Sequence, residues 1–149
     1  MTRSNARELV LHLILDMDYT KDPSAEVVET RLDRDYYATL EAENDVYAER
    51  PNQKQLAYIR QVTAGVQEKE AELRETISKY AIGWNINRIS RLARAILELA
   101  IYEIRYVEDV PASVAVSEAM VLTKKYESEE TASFVNGILG AFVRGEVQA

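Results

Sequence analysis

Residues 84–143 read WNINRISRLARAILELAIYEIRYVEDVPASVAVSEAMVLTKKYESEETASFVNGILGAFV. Within them Ile89, Leu92, Ala93, Ile96, Leu97, Leu99, Ala100, Ile101 and Ile104 recur so densely that a helix through them has little polar surface. A helix apolar around most of its circumference belongs at the centre of a bundle. This one is predicted to start at Asn87 or Ile89 and to run to Tyr106. Pro111 then opens another helix, because proline is tolerated in a first turn whose N–H has no intrahelical partner. Val114, Ala115, Ala119, Leu122 and Tyr126 form its expected inner face. A last helix is expected from Ser128 or Thr131, with Phe134, Ile138, Leu139 and Phe142 inward. Asn136-Gly137 is a turn dipeptide that local rules would use to break that helix. The register of positions 134, 138 and 142 carries through it.

Working outward, Gly83 is a plausible stop for the preceding segment. Residues 55–80 read as one long helix on Ile59, Val62, Val66, Leu73, Ile77 and Tyr80, with small slips in spacing. The Pro51-Asn52 pair can cap it. Residues 33–52 are acidic and weakly patterned, and residues 16–23 read as a turn. Ser24 restarts a helix through Val27, Val28 and Leu32. A first helix spans residues 7–17 on Leu9, Leu13 and Met17, with Thr2 or Ser4 as its cap.

The 149 residues suit one compact domain with a real core. Few glycines and prolines and an abundance of Ala, Leu, Glu and Arg favour helices. No apolar run approaches the roughly twenty residues of a membrane span, and the N-terminal stretch lacks a leader's cleavage site. With no cysteine in the chain, disulfides and thiolate metal sites are excluded. A single histidine, His12, leaves no Cys–His pair, and no glycine-rich phosphate loop follows a strand. The acids of residues 16–49 match no calcium loop and read as a solvated face, so no metal, cofactor or enzymatic activity is expected. A net charge of −7 and a pI near 4.9 weigh against a general nucleic-acid affinity. A local basic face remains open, since Arg88, Arg91 and Arg94 recur at helical spacing.

The order of these features is itself specific. A basic opening turn leads to a long apolar helix ending Ile101-Tyr102-Glu103-Ile104. Asp109-Val110-Pro111, a Val-Ser-Glu-Ala step and Phe134-Val135-Asn136-Gly137 then follow. Together they resemble the C-terminal half of the NusB family of bacterial transcription antitermination factors. The resemblance implies an all-α fold, a compact bundle over residues 1–149 with subbundles at about 1–80 and 81–149. It also implies that the last helix stays intact through Gly137, with that glycine allowing close helix–helix approach. The implied function is cytoplasmic antitermination, exercised on the elongating RNA polymerase complex. It would act by binding single-stranded boxA-type RNA of ribosomal leader transcripts together with NusE, a small-subunit ribosomal protein.

Carried onto this chain, the resemblance assigns RNA contact to Arg3, Arg7, His12, Phe134 and Asn136. It assigns the protein partner to Arg94, Tyr102 and Glu103. Ala6-Arg7-Glu8 matches the family's first helix, but only Arg3 precedes it, so fewer phosphate contacts and a shallower salt dependence are expected. Phe134 would stack on an unpaired base, or simply pack in the core. His12 stands where relatives often have glutamine, either as a hydrogen-bonding group or as an ordinary helix residue. Ser133 replaces a common lysine, Gly140 a common aspartate, Ala93 an acid and Glu98 a basic residue. Ala93 and Glu98 weaken the partner assignment, and the missing basic residues favour one rival, a NusB-fold protein-interaction module that has lost boxA recognition. A detached RNA-binding domain of an RNA methyltransferase is a second, and homodimerisation through the same surfaces a third possibility.

Overall fold

A computed structural model describes residues 1–148 of the chain. Among them are eight α-helices, three short helical turns and no strand. The chain divides into two compact units, Met1–Glu68 and Lys69–Ala149.

The first unit holds α1 (Arg3–Thr20), α2 (Ser24–Leu32), α3 (Arg34–Leu40) and α4 (Gln53–Glu68). Helix α1 packs on α2 and α4, and α2 packs on α4 and α3. Thr2 caps α1 by accepting from the Asn5 N–H at 3.0 Å, a device worth about 1 kcal/mol. The predicted turn at residues 16–23 begins later than expected. Helix α1 continues to Thr20 and ends where Lys21 adopts a left-handed φ of 64°. Ser24 is the first helical residue and not the cap; its N–H donates to the Gln67 side chain at 2.9 Å.

The unassigned segment 33–52 contains α3 and a 3-10 turn at Asp45–Ala48. Asp33 caps α3, and the buried Tyr37, Leu40, Val46 and Tyr47 anchor the segment, with the Tyr37 hydroxyl donating to the Glu49 carbonyl at 2.7 Å. Asn52 caps α4 as expected, in a reciprocal capping box. Its side chain accepts from the Gln55 N–H, and the Gln55 side chain accepts from the Asn52 N–H, each at 2.9 Å.

The hydroxyl of Thr63, on the buried face of α4, has no hydrogen-bond partner among the described residues. Thr63→Val is therefore expected to raise stability by about 1 kcal/mol, the cost of a buried unmet hydroxyl. A urea titration checks this, with an unmoved midpoint as the contrary result.

The predicted long helix 55–80 is two helices. It breaks at Lys69, whose backbone leaves the helical region (φ −97°, ψ 14°), and α5 (Glu70–Tyr80) begins there in the second unit.

In the second unit α5 is followed by α6 (Arg91–Tyr106), α7 (Ala112–Tyr126) and α8 (Glu129–Phe142). Helix α6 packs against α5, α7 and α8. Every residue from 95 to 103 is buried, which makes α6 the expected central helix. Ser90 caps it by accepting from the Ala93 N–H at 3.0 Å. Because a 3-10 turn (Ile86–Arg88) precedes that cap, Arg88 is not on the helix that carries Arg91 and Arg94, and the expected three-arginine stripe is interrupted.

Helix α7 buries Ala115, Ala119 and Leu122 as predicted, whereas Val114 points outward at 41% exposure. Helix α8 starts at a Ser128 cap and runs unbroken through Asn136-Gly137. A Cβ on Gly137 would meet nothing within 4 Å, so the glycine does not mediate a close helix approach. The flanking Phe134, Val135, Ile138 and Leu139 are all buried and hold the helix through it. No helix among the described residues is long and apolar enough to cross a membrane.

Candidate nucleic-acid interface

Helix α1 carries three of the five residues assigned to RNA, and they differ sharply in access. Arg3 is half-buried, its guanidinium 4.2 Å above the Tyr58 ring of α4. That contact is worth of order 0.5–1 kcal/mol near the surface and holds the cation at the helix start. Arg7 is buried at 3% exposure, beside an equally enclosed Glu8. It is a structural arginine and not the surface cation expected, because its place on α1 turns it into the first unit.

His12 is half-buried in a chain of polar contacts that sequence reading did not find. Asp16 receives two hydrogen bonds from Arg31, at 2.7 and 2.9 Å. Arg31 also donates to the Tyr47 hydroxyl at 2.9 Å, and that oxygen lies 2.6 Å from His12 Nδ1. The Tyr47 phenol and His12 Nδ1 share one hydrogen bond, its direction set by the histidine tautomer. The rings of His12 and Tyr47 stack, with centroids 5.6 Å apart. Burial pushes the Tyr47 phenol far above its ordinary range, against the pull of Arg31, so it stays protonated. His12 is thus a held, hydrogen-bonding group.

In the second unit, Phe134 lies at 7% exposure with its ring edge-on to Trp84, centroids 4.8 Å apart. Core packing describes Phe134 better than an open stacking platform. Asn136 is exposed on α8. Two residues advance a helix by about 200°, so Phe134 and Asn136 cannot serve the same side of α8.

Trp84 is the accessible aromatic, and reading the sequence for sites missed it. Its signal was available: a lone tryptophan after Gly83, in a connection between helices, and connections run over the surface. Gly83 itself takes a φ of +83°, which favours glycine. Together with Asn85, Arg88, Glu130 and Phe134 these residues line a groove of about 340 Å³. Arg88 and Glu130 are exposed and, among the described residues, pair with nothing.

The three residues expected to face a protein partner are not displayed as predicted. Tyr102 is 7% exposed and Glu103 is fully enclosed. Their helix is buried on every side over this span, which leaves no surface for either. Arg94 is half-buried, with its Nε 3.5 Å from Glu98 one turn on. Arg74 of α5 approaches the same carboxylate at 3.5 Å and also pairs with Glu70 at 3.0 Å. Glu98 is 3% exposed, and burial pushes its carboxyl up to about 7 against the pull of Arg74 and Arg94. No group of three or more potential metal ligands occurs among the described residues.

Comparisons with known proteins place this arrangement. The transcription antitermination protein NusB of Symbiobacterium thermophilum is 38% identical over 146 residues, 97% of this chain and 91% of that one. The same protein of Acetivibrio thermocellus is 37% identical over 144 residues, covering 97% and 90%. Among solved structures, T. maritima NusB superposes with a TM-score of 0.78 at 26% identity, covering 97% of this chain and 92% of that one. A NusB–NusE complex with double-stranded RNA contains a chain of the same fold, with a TM-score of 0.74 at 20% identity and 96% of each chain covered. The model of the NusB family matches residues 4–144, and with relatives above 30% identity along nearly its whole length this chain belongs to the NusB family.

Proposed function

We propose that this protein is a transcription antitermination factor. It binds boxA-type RNA of nascent ribosomal transcripts with NusE and acts on the elongating RNA polymerase complex in the cytoplasm. The observation that carries this is the 38% identity, spanning 97% of the chain, to a relative named for that function. The fold shared with the chain in a solved NusB–NusE–RNA complex supports it.

Recognition, and not catalysis, is the proposed mode of action. Sequence-specific RNA binding rests on splayed single-stranded bases met by aromatic and polar side chains, with cations on the phosphates. On the first unit, Arg3 supplies a cation held over Tyr58, and His12 supplies a ring fixed by Tyr47. On the second unit, Asn136 offers an exposed amide, and Phe134 acts from within by bracing Trp84. Arg7 then serves the site by shaping α1 from inside, and Arg94 is the accessible member of the proposed partner surface. The chain's net charge of −7 fits a binder whose affinity depends on its protein partner.

Fluorescence anisotropy of a boxA-type RNA, with a scrambled RNA as control, tests this at several salt concentrations with and without NusE. Partner-enhanced, sequence-selective binding is expected. Arg3→Ala should flatten the log–log salt slope by about 0.7, the loss of one phosphate contact on a single strand. Flat titrations in every arm would overturn the RNA reading in favour of a protein-interaction role.

A further inference from the structure

The groove of the second unit holds more uncommitted chemistry than the contacts proposed so far use. Trp84 is the only tryptophan of the chain and keeps 46% of its surface exposed. Phe134 braces it edge-on, so the indole is held in place before any ligand arrives. Such preorganisation removes part of the ordering cost of binding. At about 340 Å³ the groove lies at the small end of the ~300–1,000 Å³ typical of small-ligand sites.

Its polar groups narrow the ligand. Arg88 and Glu130 share the groove with opposite charges, yet pair neither with each other nor with any other group among the described residues. Asn85, also in the groove lining, uses its side-chain oxygen to accept from the Asn87 N–H at 3.1 Å. A bare phosphate would be drawn by Arg88 but repelled by Glu130 and by its neighbour Glu129. What satisfies both charges is a flat ring with hydrogen-bond donors on its edge and a phosphate beyond it.

We propose that this groove takes one unpaired nucleobase of the RNA, with guanine preferred. The inference rests on the RNA reading above and adds Trp84, Arg88, Glu130 and the identity of one base. The indole stacks on any base, because every base has a π-face. Selection falls to the Glu130 carboxylate, which accepts from donors on the Watson–Crick edge. Guanine alone carries two adjacent donors there, N1–H and the 2-amino group, and so matches both carboxylate oxygens. Cytosine and adenine set one amine beside an acceptor nitrogen, and uracil flanks its single N–H with two carbonyls. Arg88 holds the flanking phosphate.

The lone tryptophan makes the test direct. The full-length protein is titrated with fluorescein-labelled hexauridylate, and with the same oligonucleotide carrying one central guanosine. Indole emission and anisotropy are read together. The guanosine oligonucleotide is expected to bind about tenfold more tightly, the worth of one good bidentate base contact, and to quench Trp84. Inosine in place of guanosine, which lacks the 2-amino group, should lose most of that preference. Glu130→Ala should cut that preference below threefold. Trp84→Ala should weaken both, and Trp84→Phe should restore them, with circular dichroism confirming the fold of each variant.

Equal affinity for the two oligonucleotides, or binding that leaves indole emission unchanged, overturns the pocket. The RNA reading would survive that result if the boxA-type titration with NusE remains positive. If that titration is flat as well, both fall.

Discussion

Replacing Ile96 with aspartate is expected to abolish the cooperative melt of the second unit. Ile96 sits mid-way along α6 at 1% exposure, and α6 packs on α5, α7 and α8 together. Two losses add. Removing the branched apolar side chain forfeits its transfer energy and leaves a partly filled cavity, about 2–5 kcal/mol by analogy with truncation to alanine. The new carboxylate is then buried without a partner, which costs several kcal/mol more, or it takes a proton at a similar cost at neutral pH. Arg74 and Arg94 do not offer rescue. They converge on Glu98, two residues and so about 200° around the helix from position 96. The sum reaches or exceeds the 5–15 kcal/mol of a typical domain. Ile96→Val, which deletes one methylene, should cost only about 0.5–1.5 kcal/mol and keep the transition. Differential scanning calorimetry of the two variants beside the parent decides it. An unshifted, cooperative transition for Ile96→Asp would mean that α6 does not form the core.

That central helix was legible because its signal is redundant. Residues 95–103 are buried on every face, so any small error in register still places apolar side chains inward. The caps at Thr2, Asn52 and Ser128 were readable for a similar reason: each is a local hydrogen bond between residues three apart. What escaped depended on longer-range contacts. Helix α3 and the turn after it are ordered by Tyr37 and Tyr47, and Tyr47 is held by Arg31 sixteen residues earlier. The break at Lys69 has no proline or glycine to announce it. Lys21 takes a left-handed backbone where glycine would be the usual choice.

The candidate site was less legible than the fold. Family resemblance placed functional roles on Arg7, Tyr102 and Glu103, but a charged or phenolic residue type does not reveal burial, and all three are enclosed. Phe134 was found with both of its possible roles, and the packing role prevails. Trp84, Arg88 and Glu130 come together only once the 3-10 turn and the Ser128 cap are in place. Trp84 and Glu130 lie too far apart in sequence for any local rule to join them.

Glu98 sets the second large effect, a dependence of stability on pH. Burial is the leading influence and raises its carboxyl to about 7, although Arg74 and Arg94 both pull it down. Each guanidinium meets the carboxylate at 3.5 Å through Nε, longer than the 2.7–2.9 Å of a strong charge-assisted hydrogen bond. Two ordinary-looking ion pairs are therefore outweighed by the cost of desolvating the charge. The sign follows from linkage. Below about 4.5, the ordinary value of the group, Glu98 is protonated whether the chain is folded or not, and its contribution to stability is fully present. As pH rises toward about 7 the unfolded chain releases the proton and the folded chain retains it, so stability falls. Above about 7 the loss is complete. At about 1.4 kcal/mol per pH unit, the loss is on the order of 3 kcal/mol. Glu98→Gln keeps the shape and the hydrogen-bonding capacity but cannot ionise. Other acids titrate in both proteins and cancel in the difference between their melting temperatures. That difference should be small at pH 5 and grow in favour of Glu98→Gln up to pH 8, where the variant is the more stable protein. A difference that stays constant from pH 5 to 8 would mean that Glu98 is ionised throughout. The two arginines would then hold its charge more strongly than burial opposes it, and Arg94 would be anchored inward at neutral pH.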